Sequence, residues 1–381
     1  MFRSPSLAWL SLGLGLLACG MGACTAVVSL DELQQGSGGS GAGSSTSSSN
    51  TSSSGGGEGG GLSCAPGTED CEGSGTSCTD LGTTPIHCGA CGHDCLGGGC
   101  VEGRCLPVLL WDGEEADGRA TGIDQSDEYV YATTTLGVVR VPKAGGAPLM
   151  LTSESAGPRI DVEGAHAYFT AGSLQRVPLG GGSPESLAVK SGWGGRGLRV
   201  DATHAYAVRS LYGDEAQVEL MRVPRNGGSQ VNVPLTGTGG WGVQLDAANA
   251  YVTGSAGVFR VSKADYTSAE QIYTGESGDN LVLHDGDAYL LGAGLWRLDL
   301  ATDPPGATLL DAELSTGQLA SDGERLYYTL FDAGELGRIE FDGTGRVMLA
   351  DGLVGVDVLV IDDAAIYFTH YLEQAIYRLA K

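Results

Sequence analysis

Ile160-Asp161-Val162-Glu163-Gly164-Ala165-His166-Ala167-Tyr168-Phe169-Thr170-Ala171-Gly172-Ser173-Leu174-Gln175-Arg176-Val177 holds three short apolar segments separated by two glycine-bearing turns. Short β-rich runs bounded by such turns read as consecutive strands of a meander. A fourth run, Ser186-Leu187-Ala188-Val189, follows the Gly180-Gly181-Gly182 turn. The same plan recurs along the chain. Its tyrosines are Tyr131, Tyr168, Tyr206, Tyr251, Tyr289, Tyr327 and Tyr367, spaced 37, 38, 45, 38, 38 and 40 residues apart.

Two more positions recur with each tyrosine. An acid precedes it by four or five residues: Asp127, Glu163, Asp201, Asp246, Asp285, Asp322 and Asp362. An arginine follows it: Arg140, Arg176, Arg222, Arg260, Arg297, Arg338 and Arg378. Each arginine has an aliphatic residue two before it and Val, Ile or Leu after it. A period near 40 built from short strands predicts a β-propeller. Residues 106–381 are therefore read as an all-β, seven-bladed propeller, with six or eight blades as lesser alternatives. The seventh copy stops after its third strand. Pro107–Trp111, ahead of the first copy, is expected to supply the missing strand by pairing with Ala375–Leu379, which locks first blade to last.

This pattern resembles the YWTD-type and related bacterial lipoprotein propellers. Ala-Thr or Phe-Thr commonly follows the tyrosine here in place of Trp-Thr-Asp, and the count is seven rather than six. A residue present in every blade reads as structural. The acids are expected to accept backbone N–H bonds at the turn into the second strand. The acids and arginines are expected to pair between blades.

The rest of the chain gives it an address. Residues 1–18 read as an export signal, with Arg3 ahead of the apolar run Leu7 to Ala18. Leu16-Leu17-Ala18-Cys19 resembles a bacterial lipobox, which implies lipidation at Cys19. Cys24 is a second candidate, and a plain secretory signal is the alternative. Gly20 after the cysteine implies sorting to the outer membrane or cell surface. Residues 19–63 form a lipidated N-terminus and a Gly/Ser-rich linker with too few apolar side chains to fold. Its 26 residues from Gly36 to Gly61 would span roughly 30 Å as a flexible chain.

Eight of the ten cysteines fall within residues 64–105: Cys64, Cys71, Cys78, Cys88, Cys91, Cys95, Cys100 and Cys105. An exported chain with an even, clustered set reads as a disulfide-rich module, and eight cysteines leave 105 pairings open. Cys88, Cys91 and Cys95 with His87 or His93 form an alternative zinc set, and Cys88-Gly89-Ala90-Cys91 an alternative redox pair. The run from Cys78 to Cys105 resembles the cysteine repeat of the stigma-specific protein family, a pattern shared by exported lipoproteins of the myxobacterial type. That resemblance implies no chemistry.

The net charge of -25 argues against nucleic acid as partner and against a polybasic hold on anionic lipid. The membrane is reached through the lipid anchor only, and a monomer is expected. Function is sought where the copies differ, on the face shared by the loops into each first strand and the loops between second and third strands. Trp193, Arg196, Tyr212, Trp241, Phe331, His370 and Tyr371 are the candidate ligand-binding residues there. Exposed aromatics near charge suit a sugar or a peptide. No catalytic residue, cofactor or metal is assigned, and the expected role is non-catalytic binding of an envelope or extracellular protein or glycan. The alternative is a hydrolase or lyase acting on envelope or extracellular polymers, for which the inner strands offer only scattered candidates such as His284.

Overall fold

The computed structural model describes residues 63–113, 118–188, 197–211, 217–236, 240–275, 278, 281–315 and 317–381. The leader, Cys19, Cys24 and the linker lie outside them, as do Trp193, Arg196 and Tyr212. The chain from Val108 to Ala380 forms seven antiparallel four-stranded sheets. Six of them take their strands consecutively from inner to outer. In the quoted copy these are Ile160–Glu163, His166–Thr170, Leu174–Pro178 and Glu185–Ala188. The seventh takes its outer strand, Val108–Asp112, from the start of the propeller. It pairs Asp112 with Ala375 and Val108 with Arg378, so the strand lies one residue further along the chain than the expected Pro107–Trp111.

Each sheet is buried on both faces, so its second strand, such as His166–Thr170, carries a continuous buried run rather than an alternation. Tyr206, Val208 and Leu220 of blade 3 interdigitate with Val252, Phe259 and Val261 of blade 4 in one such layer. The aliphatic residue two before each arginine is fully buried in all seven blades. In six of them the pairing of third and fourth strands slips at that residue, as at Val258/Phe259. A bulge there adds twist and blunts the outer edge. Gly257 opens such a third strand at φ +119, and a Cβ on it would lie 1.8 Å from the carbonyl oxygen of Tyr273. Blade 3 has no slip in this pairing, and its longer hairpin joins His204–Leu211 to Gln217–Pro224.

Four of the recurrent acids, Asp201, Asp246, Asp322 and Asp362, accept turn N–H groups. Asp201 Oδ1 takes Thr203 N and His204 N, each at 2.9 Å, and Asp322 Oδ1 takes Glu324 N and Arg325 N at the same distance. Burial alone would raise the Asp201 carboxyl. The turn N–H groups, the Thr203 hydroxyl and Lys263 together hold it well below the usual range.

The expected pairing of these acids with the recurrent arginines is corrected. The arginines reach a carbonyl of the next blade: Arg140 to Leu179, Arg176 to Arg225, Arg222 to Lys263 and Arg378 to Lys143, at 2.8, 2.6, 2.7 and 2.6 Å. Each accepting residue lies three after its own blade's arginine. Where that residue is basic, it turns back to the acid of the preceding blade. Lys143 meets Asp362 at 2.8 Å, Arg225 meets Glu163 at 3.1 Å, Lys263 meets Asp201 at 3.0 Å and Lys381 meets Asp322 at 2.6 Å. Arg260, by contrast, pairs within its own blade with Glu270 at 2.8 Å.

The cysteine module carries four bridges: Cys64–Cys78, Cys71–Cys91, Cys88–Cys100 and Cys95–Cys105. Cys88 and Cys91 are thus not joined to each other, which removes the redox-pair alternative. The thiols proposed for zinc are consumed, although Cys88, Cys95 and Cys105 place their sulfurs within 4.8 Å of one another. Between Ser63 and Cys105 the buried residues are Cys88, Cys95, Gly98, Cys100 and Cys105, so the core of the module is mostly sulfur.

The seam geometry ranks two substitutions. Asp201→Ala removes the turn acceptor and the ion pair together and is expected to cost about 2–3 kcal/mol. Lys263→Leu copies what blades 2 and 5 already place there and should cost about 1 kcal/mol. Urea unfolding of both variants checks the order, and an equal or inverted ranking would show that the turn is held by something else.

Candidate functional site

Two regions break the sevenfold repetition. One is a platform on the hairpins of blades 6 and 7. Phe331 follows the second strand of blade 6, Leu326–Leu330, and Tyr371 follows that of blade 7, Ala365–His370. The strands deliver both residues to turns, where side chains are released from the layered core. Their rings meet edge to face, with centroids 5.8 Å apart. Arg119, just before the inner strand Ala120–Gln125 of blade 1, lays its guanidinium over Tyr371 at 4.2 Å from the ring centre. Its Nη1 also donates to the Tyr371 hydroxyl at 2.7 Å. Val354 and Leu372 are exposed beside them, Leu372 by 57%.

Backbone hydrogen bonds lace this platform. Gly355 N donates to Phe331 O at 2.9 Å, Tyr371 N to Gly355 O at 2.8 Å, and Gly113 N to Gln374 O at 3.0 Å. Gly355 sits at φ +101, and a Cβ on it would lie 2.8 Å from Leu372 Cγ. The aromatic pair is therefore preformed, which lowers the ordering cost of a ligand that contacts it.

His370 does not share that surface. It is 4% exposed, accepts Glu373 N at Nδ1 at 3.1 Å and packs edge-on against Tyr377. Burial pushes its pKa down. One residue separates the inward-facing end of the strand from the outward-facing turn. Trp241 occupies the bulged position of the inner strand Gly240–Leu245, between Gly240 and Gly242. Arg119 was not among the sequence candidates. Its signal was position, since it lies on the loop into the first strand of blade 1.

The other region is the central channel, a cavity of about 490 Å³ lined by the inner strands. Facing each recurrent tyrosine across the first strand pair are Asp124, Asp161, Arg199, Gln244, Val282, Ala320 and Val360. The belt is thus polar through blades 1–4 and apolar through blades 5–7. Its polar members reach along the ring to the next inner strand. Asp124 Oδ2 accepts Val162 N at 2.5 Å and Asp161 Oδ2 accepts Val200 N at 2.8 Å. Arg199 Nε donates to Gln244 Oε1 at 3.0 Å. The two aspartate bonds satisfy inner-edge backbone N–H groups that have no neighbouring strand.

Burial raises Asp124, against the pull of Arg199. Burial, and then the Asp124 charge, push Asp161 up to about 7. His284 also lines the channel, stacked on Phe341 at 3.7 Å between ring centres, with Nε2 3.5 Å from Asp285 Oδ2.

No protein-family model matches the chain. No curated protein matches its sequence. Among solved structures, the chain is similar to a catalytically inactive virginiamycin B lyase from Staphylococcus aureus with quinupristin, at 14% identity and a TM-score of 0.56, over 72% of this chain and 98% of that one. It is similar to YCF48 from Cyanidioschyzon merolae at 13% identity and a TM-score of 0.51, with the same coverages. The AfRom2 CNH domain matches at 11% identity and a TM-score of 0.51, again over 72% and 98%. At such identities the likeness shows the fold alone.

The channel carboxylates set a pH dependence. A carboxyl raised in the folded state keeps its proton after the unfolded chain has lost its own. Stability therefore falls as pH rises from the ordinary value near 4 through about 7. Asp161→Asn keeps an oxygen for Val200 N and removes the charge. It should be close to neutral at pH 3.5 and stabilising by roughly 2–4 kcal/mol at pH 8. Urea midpoints at the two pH values test this, and equal effects at both would mean that Asp161 ionises freely in the fold.

Proposed function

We propose that this chain is an exported, lipid-anchored protein of the cell envelope whose propeller is a non-catalytic binding module for a protein or glycan. The observation that carries this reading is the preformed platform of Phe331, Tyr371 and Arg119, with Val354 and Leu372 exposed at its side. Rigid aromatic rings offer large contact area at low entropic cost, and a stacked guanidinium adds a polar handle. Lipidation at Cys19 and the linker behind it would hold this face off a membrane on a leash, at the outer membrane or cell surface.

A second reading, a hydrolase or lyase acting on envelope or extracellular polymers, draws on Asp161. A carboxyl near 7 is poised to exchange protons. The binding reading is favoured because that carboxylate is buried and already engaged with Val200 N.

A glycan and envelope-protein binding screen on residues 62–381 tests the choice. Phe331→Ala with Tyr371→Ala should weaken a captured ligand at least about tenfold and leave urea stability within about 1 kcal/mol. Turnover of an envelope polymer, lost in Asp161→Asn, would replace the binding reading with the catalytic one. For the anchor, Cys19→Ala should abolish incorporation of labelled fatty acid and move the protein to the soluble fraction. Label retained in that variant would transfer the assignment to Cys24.

A further inference from the structure

The cysteine module runs directly into the strand that closes the ring, since Val108 lies three residues after Cys105. The outer strands differ in what they offer the arginine opposite: Leu149, Val231 and Val347 in blades 1, 3 and 6 are aliphatic, as is Val108 in the closing strand. In blades 2 and 4 the facing residue is an acid, and Arg176–Glu185 and Arg260–Glu270 pair at 2.7 and 2.8 Å. In blade 7 the residue facing Arg378 is Val108, which has no acceptor on its side chain. Arg378 Nη2 donates instead to the carbonyl of Leu96, in the module. Its Nη1 donates to Lys143 O of blade 1. One guanidinium thus joins the module, the last blade and the first.

The module is built to present that carbonyl. Leu96 lies at φ 55, a left-handed conformation that a residue with a Cβ leaves when released. Leu96 N is held on Asp94 Oδ1 at 2.8 Å, and Cys95 beside it is bridged to Cys105. Leu106 N donates to Gly99 O at 2.9 Å, which ties this loop to the start of the closing strand. The hairpin of Cys100–Val101 and Arg104–Cys105 lies beside the outer strand Val347–Ala350 of blade 6. There Arg104 meets Asp351 at 3.1 Å.

We infer that the cysteine module is an intramolecular clasp whose partner is the propeller's own closure seam, and that its disulfides keep the seam shut. The core of the module is sulfur, so its shape depends on the bridges. A dithiol reduces each bridge with two electrons and two protons, yielding two module thiols and the cyclic disulfide of the reagent. The Leu96 loop and the hairpin then lose their constraint, and Arg378 loses its acceptor. The clasp does not depend on which ligand the platform takes.

The experiment uses the folded, oxidised chain, treated with dithiothreitol until mass spectrometry shows the four bridges opened. Amide exchange is then followed by segment. Exchange in 108–112 and 375–380 should rise about tenfold or more on reduction, with 160–188 and 240–262 unchanged. The melting temperature should fall by about 5 °C. Full reduction with unchanged exchange at the seam overturns the inference, as does a uniform rise over all blades. Arg378→Gln in the oxidised protein should raise exchange in 108–112 by itself and reduce the further rise on reduction to under about threefold. A rise on reduction as large as in the parent protein would remove Arg378 from the clasp and overturn the link drawn through it.

Discussion

Among the described residues, consecutive blades of this ring share no strand ladder, and side chains hold the seams along with a few loop backbone bonds. The repeated solution is a cover over each recurrent tyrosine, supplied by the residue three after the next blade's arginine. Lys143 lies over Tyr367, Lys263 over Tyr206 and Lys381 over Tyr327, while Arg225 bonds the hydroxyl of Tyr168. Phe341 packs on Tyr289, and Leu179 and Leu300 pack in the clusters that hold Tyr131 and Tyr251. Basic and apolar covers serve alike because both shield the ring face with a long apolar stem. A cation gains the turn acid of the preceding blade, at the cost of its own desolvation, so exchange between the two kinds of cover is nearly neutral.

This arrangement explains what was and was not legible in the sequence. Seven blades, their strands and a closure by the segment ahead of the first copy, expected at 107–111 and found at 108–112, followed from a period near 40 and one missing strand. The acids and arginines were equally visible, yet pairing them was an error of register. Identity in an alignment draws attention to positions that never vary, such as Arg222. The contact is made by a position that does vary, Lys143 or Leu179 or Phe341, because the seam selects length and apolar stem rather than residue type. The four disulfides were beyond the sequence for a different reason. Their overlapping order, from Cys64–Cys78 to Cys95–Cys105, is set by how turns fold over one another, and spacing alone does not encode it.

The platform was half legible. Phe331 and Tyr371 stood out as aromatics on loops of one face, and the structure brings them together. His370 stood out equally but ends a strand whose side chains turn inward. Arg119 was marked only by its place before a first strand, and the closing of the ring brings it over Tyr371.

These asymmetries gather at one place. The closing strand, the module, Arg378 and the platform all lie where blades 6, 7 and 1 meet, while blades 2–5 keep to the common plan apart from the channel belt and the long hairpin of blade 3. Phe331 belongs to blade 6, Tyr371 to blade 7 and Arg119 to blade 1, so a ligand seated on all three would span both seams that flank the last blade. Such a ligand binds the closed ring and not the open one, and mass action then adds its binding free energy to closure. By the same linkage, whatever tightens the seam from the rim prepares the platform above it. The module grips the outer edge of blades 6 and 7, and the aromatic pair sits on their upper hairpins. Stability at the rim and affinity at the face therefore draw on a single structural element, the pairing of 108–112 with 375–380.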